Sequence, residues 1–221
     1  MRWGGIAVAA TMIAVLTTGC GDSDSGSTAS QPKPSTPRAE LLLTESDFPA
    51  GTKTEIIPAT QPGESTTVSH ETVTPAGCTE DTRDVMSGVP DSSISAVAAT
   101  DDDRGVFYAE AVIDRAMDIA KIKDTILGKC ADLTIRQGNS DIHLKFTAHQ
   151  LPAGLRADQA VAYSTSGSSG AGSTTGIKID AIAVVRGMTV NLSAVSMDTG
   201  LDAAAFDKLF VAAVDKVASA K

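Results

Sequence analysis

Apolar and polar residues alternate with a period of two along most of this chain and switch to a helical period in only a few places. The alternation predicts strands over 53–57, 66–74, 93–100, 106–114, 133–136, 142–150, 159–165, 177–186 and 189–196. The strands at 93–100 and 106–114 form a hairpin, because Asp101-Asp102-Asp103-Arg104-Gly105 between them suits a turn. Helical spacing appears at 78–87, stopped by Gly88 and Pro90, and at 117–127, where Ile119, Ile122, Ile126 and Leu127 share a face. Near the C-terminus Ala205, Phe206, Leu209, Phe210, Ala213, Val214 and Val217 form one stripe, with Asp207, Lys208, Asp215 and Lys216 turned away from it. Thr44 suits the N-cap of a short turn that Pro49 ends. Neighbouring strands with few intervening helices predict an α+β fold: a largely antiparallel sheet with about three helices packed on one face, in a single domain over 39–221.

The first residues follow a different pattern. Arg2, an apolar run over 6–16 and small residues before Cys20 are the marks of an export signal rather than a membrane span. Leu16-Thr17-Thr18-Gly19-Cys20 resembles the lipobox of bacterial lipoproteins, with Thr17 at the place usually held by Leu. That resemblance implies that the Cys20 thiol carries a diacylglycerol, that residues 1–19 are removed, and that the chain is exported and held at the cell membrane facing the extracytoplasmic space. The following GDSDSGSTASQPKPSTPR, over 21–38, lacks apolar periodicity and predicts a disordered tether. Flexible-coil scaling gives it a reach of about 20–25 Å.

Charge narrows the partners. Cutting before Cys20 removes one cation, Arg2, and moves the formal charge from −9 to −10. Such a field repels nucleic-acid phosphates and anionic headgroups, so no nucleic-acid partner is expected and contact with the membrane runs through lipid on Cys20. The one tryptophan, Trp3, lies in the signal, which leaves five Phe and two Tyr. Few flat aromatic faces remain for stacking on sugars.

With Cys20 assigned to lipid, Cys78 and Cys130 remain, and in an oxidising compartment they predict a bridge closing a loop of about 53 residues. Two buried free thiols or a metal pair are the other readings of these cysteines.

Candidate chemistry is sparse. His143, Lys145, Thr147 and His149 share one strand face, with the histidines about 20 Å apart and therefore unable to share a metal; they read as surface residues. His70 stands alone. The acidic turn at 101–105 lacks the alternate-position spacing of an EF-hand. The Gly/Ser stretch over 164–176 fits neither a phosphate-binding loop, with no Lys before Lys178, nor a nucleophile elbow, and reads as a mobile hairpin loop. Glu80, Asp81 and Asp84 suit the first turn of the helix at 78–87. Nothing joins a nucleophile, a base and an oxyanion donor, and neither an enzyme, a cofactor nor a metal site is expected.

The opening Leu41-Leu42-Leu43-Thr44-Glu45-Ser46-Asp47-Phe48-Pro49-Ala50-Gly51, Cys78 in an early helix, Cys130 after a central helix and an Ala-rich C-terminal helix look like mycobacterial lipoproteins. More widely, the layout over 41–219 resembles the extracellular sensor domain of PknH-type Ser/Thr kinases of actinobacteria, which occurs on kinases and on free lipoproteins. The resemblance implies an antiparallel sheet flanked by helices, a Cys78–Cys130 bridge and a cleft for a ligand not yet identified; it carries over no catalytic residue. The sequence thus predicts a surface-anchored, non-enzymatic binding or sensing domain for a small or lipidic envelope ligand. A scaffold for an envelope protein partner and an enzyme acting on cell-wall material are the second and third readings. Replacing the anchor tests the first step: Cys20→Ala should abolish incorporation of labelled palmitate and move the protein out of the detergent phase.

Overall fold

A computed structural model describes residues 31–57, 72–79, 90–169, 174–196 and 200–221. Nine strands form one antiparallel sheet: β1 (Lys53–Ile57), β2 (Thr72–Thr74), β3 (Ile94–Asp101), β4 (Val106–Ile113), β5 (Asp132–Gln137), β6 (Ser140–Ala148), β7 (Gln159–Ser169), β8 (Thr174–Val185) and β9 (Met188–Ser196). Their order is β1-β3-β4-β9-β8-β7-β6-β5-β2. Three α-helices stand among the described residues, α1 (Arg38–Leu41), α2 (Ile119–Asp124) and α3 (Ala203–Ser219). None of the described helices is long and apolar enough to cross a membrane. The class is α+β, and β1 matches its predicted bounds. The segments 58–71 and 80–89, which hold His70, Glu80, Asp81, Asp84 and most of the helix expected at 78–87, lie outside the described residues, as do residues 1–30 with Cys20.

The expectation of helices on one face is corrected, because the helices lie on both. Strand β8 shows why. Its Ile179, Ala181, Ala183 and Val185 join the cluster built on α3, while Ile182 and Val184 point the other way and join Ile119, Ile122 and Ile126. A run that is apolar at both parities is the mark of a strand covered on both faces.

α3 begins where the Asp202 carboxylate accepts the Ala204 and Ala205 N–H groups, each at 3.0 Å. It buries the predicted stripe except for half-buried Ala205. Its polar side is largely paired: Asp207 meets His149, Asp215 meets Arg156 and Lys216 meets Asp47, while Lys208 is exposed. On the other face α2 starts at Asp118, whose carboxylate accepts the Lys121 N–H at 2.9 Å. It runs into one π turn, Thr125–Lys129, closed by the Cys130 N–H on the Thr125 carbonyl at 2.9 Å.

The turn between β8 and β9 carries special backbone. Arg186 (φ +50) and Gly187 (φ +76) both sit in the left-handed region, as a two-residue type I′ hairpin between β8 and β9 demands. Gly is at home there, whereas Arg186 is held by four hydrogen bonds: its N–H on Asp158 at 3.0 Å, and its guanidinium on the carbonyls of Pro32 at 2.8 Å, Ala220 at 2.5 Å and Ala218 at 3.5 Å. Residues 31–38, expected in the tether, are therefore docked. The Ser35 and Thr36 N–H groups reach the Lys221 carbonyl at 2.6 and 3.3 Å, and both Lys33 and Arg38 pair with Asp114.

Cys78 and Cys130 form a disulfide, with Cα atoms 5.7 Å apart. The bridge fastens the segment that follows β2 to the residue that closes the π turn. It closes a loop across a sequence separation of 52, and on the chain-entropy model that constrains the unfolded chain by about 4 kcal/mol. A Cys78→Ala/Cys130→Ala variant should lose about 3–4 kcal/mol in denaturant unfolding, with a midpoint equal to that of the reduced wild type.

Candidate functional site

The strand expected at 159–165 continues to Ser169, and β8 starts at Thr174, so most of the Gly/Ser stretch is sheet and the mobile-loop reading is corrected. Strand pairing needs only backbone groups, and small hydroxyl side chains do not oppose it. The extension changes the surface beside it. Registers place Thr134, His143 and Ser168 in one cross-strand row of β5, β6 and β7, and Asp132, Lys145 and Ser166 in the next. Columns lie about 4.8 Å apart and rows about 6.7 Å apart on strand geometry.

These six residues, with Leu133, Leu144 and Gly167 between them, line an open groove of about 470 Å³. That volume falls in the range of small-ligand sites, about 300–1,000 Å³. A second open hollow, about 520 Å³, lies at the 3-10 turn Glu45–Asp47 and the residues after it. Within the groove the Thr134 hydroxyl and His143 Nδ1 share a hydrogen bond of 3.0 Å, which leaves Nε2 for another partner. The next row outward is closed by Arg136, whose guanidinium donates to both Asp141 oxygens at 2.8 and 3.0 Å. That pairing holds the Asp141 carboxyl below its usual range. The groove thus offers an ammonium, an imidazole and hydroxyls as donors, one Asp as acceptor, and no aromatic ring. Such a lining can hold ligand oxygens; it provides no stacking plane.

The shared face of His143, Lys145, Thr147 and His149 is present, but only the first three are exposed. His149 lies where α3 crosses that face. It is half-buried, 2.9 Å from Asp207, with its ring edge-on to Phe206, so the surface reading fails for this residue. The acidic turn is also more specific than its composition. Asp101 is buried, and its carboxylate accepts the Arg104 N–H at 3.1 Å and pairs with the Arg104 guanidinium.

Two acidic residues that sequence reasoning passed over are buried in the sheet. Asp180 accepts the Ser193 hydroxyl at 2.5 Å and pairs with Lys178 at 2.8 Å. Beside it, burial and then the Asp180 charge hold the Tyr163 hydroxyl above its usual range. Glu110 is the other, and a signal existed, since it is the one charged residue at the buried parity of Val106, Tyr108 and Val112. Neither lies in the groove.

On the opposite face, Ala96, Ala98, Ala109 and Ala111 form a half-buried floor on β3 and β4, next to Phe107 and Ile57, which are 44% and 39% exposed.

No family model and no curated protein matches the chain. Solved structures do. The extracellular domain of PknH from Mycobacterium tuberculosis is 13% identical and covers 81% of this chain and 93% of its own, with a TM-score of 0.49. An uncharacterised Mycobacterium smegmatis protein, an Rv0999 ortholog, is 14% identical and covers 82% of this chain and 97% of its own, with a TM-score of 0.52. The second likeness shows that this antiparallel sheet with its helices is a fold shared with a mycobacterial protein.

Proposed function

We propose that this protein is an exported lipoprotein, held at the cell membrane by lipid on Cys20, whose domain binds a small ligand rich in oxygen acceptors as a non-enzymatic receptor or sensor in the envelope. The groove carries the reading: His143, Lys145, Thr134, Ser166 and Ser168 bring donors to one open surface of ligand size. A polar head suits this lining better than an acyl chain, so of the small and lipidic ligands expected from sequence the small polar one is favoured.

A second reading has its own observation. The alanine floor with Phe107 and Ile57 is a shallow, partly apolar surface of the kind that an envelope protein partner covers.

Amide-detected NMR titration with N-acetylmuramic acid, inorganic phosphate and decanoate separates these possibilities. Saturable shifts at 143–145 and 166–168 with the first or second probe, weakened about 10–100-fold in His143→Ala/Lys145→Ala, are expected. Shifts confined to decanoate, or unchanged by the double variant, would overturn the polar-groove reading. Retention of native envelope partners that is lost in Phe107→Asp would favour the scaffold.

A further inference from the structure

Glu110 lies in the middle of β4 and is 1% exposed. Its Oε2 accepts the Leu43 N–H at 2.6 Å, while Oε1 has no hydrogen-bond partner among the described residues. The segment it holds, 41–47, leads from the chain's N-terminal end into the domain, and Leu41, Leu42 and Leu43 are all buried. Lys216 of α3 ties down the same segment, donating to the Leu42 carbonyl at 2.6 Å and to Asp47 at 3.1 Å. Asp47 completes the turn by accepting the Thr44 N–H at 2.7 Å and the Thr44 hydroxyl at 2.8 Å.

The charged groups facing Glu110 are thus Lys216 from α3, which attracts it, and Asp47 from the turn, which repels it. On its own strand Tyr108 shares the face, and β3 and β9 place Val97 and Leu192 beside it. A carboxylate here has one backbone donor and a distant ammonium in place of its water shell.

We propose that Glu110 is a proton-operated latch on residues 41–47: the neutral carboxyl sits in the closed segment, and ionisation favours an opened segment in which the carboxylate is hydrated. The proton moves between Glu110 and water, and no other bond is made or broken. Burial pushes the carboxyl up to about 7, and the Leu43 N–H and Lys216 offset this only in part. In an open segment the group returns toward its ordinary 4.5. Closed protein therefore binds more protons between these values, so closure is strongest below about 4.5, weakens as pH rises to about 7, and weakens no further above that. The latch does not depend on what the groove binds. Its consequence is local, since opening frees the stretch between the docked residues 31–38 and β1.

Hydrogen exchange tests it. The Leu43 amide should show a protection factor at least tenfold below that of Leu192 in β9, meaning that it opens without global unfolding. Between pH 5 and pH 8 that factor should fall by about 30–300-fold in wild type, the range set by a shift from 4.5 to about 7, and stay level in Glu110→Gln. A single protection factor for Leu43 and Leu192 at every pH, or the same fall in Glu110→Gln, overturns the latch. If Glu110→Gln does not fold, the wild-type side-chain carboxyl carbon decides: titration near 7 together with the Leu43 amide supports the latch, and a Glu110 already ionised at pH 5.5 overturns it.

Discussion

The fold depends on covering β8 on both faces. Its seven-residue run from Ile179 to Val185 presents apolar side chains at both parities, and a strand of that kind in water is stable only between two layers. α3 supplies one layer and α2 with its π turn the other. Because each helix is shorter than the sheet is wide, each covers only part of its face. Two areas are left uncovered as a result, the polar rows of β5, β6 and β7 beside α3, and the alanine floor of β3 and β4 on the opposite side. The candidate binding surfaces are thus the remainder of the packing solution.

The chain ends are fixed by the same centre. The tight β8–β9 turn places Arg186 in a left-handed conformation, and its guanidinium draws in the carbonyls of Pro32, Ala218 and Ala220. With Lys33 and Arg38 on Asp114, and Ser35 and Thr36 on the Lys221 carbonyl, this seats the N-terminal strap beside the C-terminal helix. An anchored protein would transmit any pull through this strap, and Glu110 and Lys216 sit at its inner end. The disulfide serves the opposite side, where the short α2 has little helical length with which to stabilise itself.

The groove and the latch use polar residues in contrasting ways. On the open rows His143, Lys145 and the serines are hydrated and individually weak, so a ligand would be held by several modest hydrogen bonds acting together. At Glu110 a single carboxyl is removed from water, and the cost of its charge becomes a means of coupling solution pH to the segment above it.

Local pattern determined a good deal by itself. Period-two alternation located the strands, with β1 to the residue, because one apolar face must be buried wherever a sheet forms. The Thr44 cap and the C-terminal stripe followed from equally local rules. The Cys78–Cys130 pairing was also legible, since few thiols competed for it. Tertiary structure decided what the pattern left degenerate. Serines at 164–169 show no hydrophobic signal, yet they pair because β6 offers them a backbone edge. His149 looked like its neighbours on the strand until α3 crossed over it, and Asp207, Asp215 and Lys216 were polar in sequence but paired in space. Which face each helix takes, and therefore where the sheet stays open, is a property of how elements of unequal size cover one another. Sequence spacing contains no term for that.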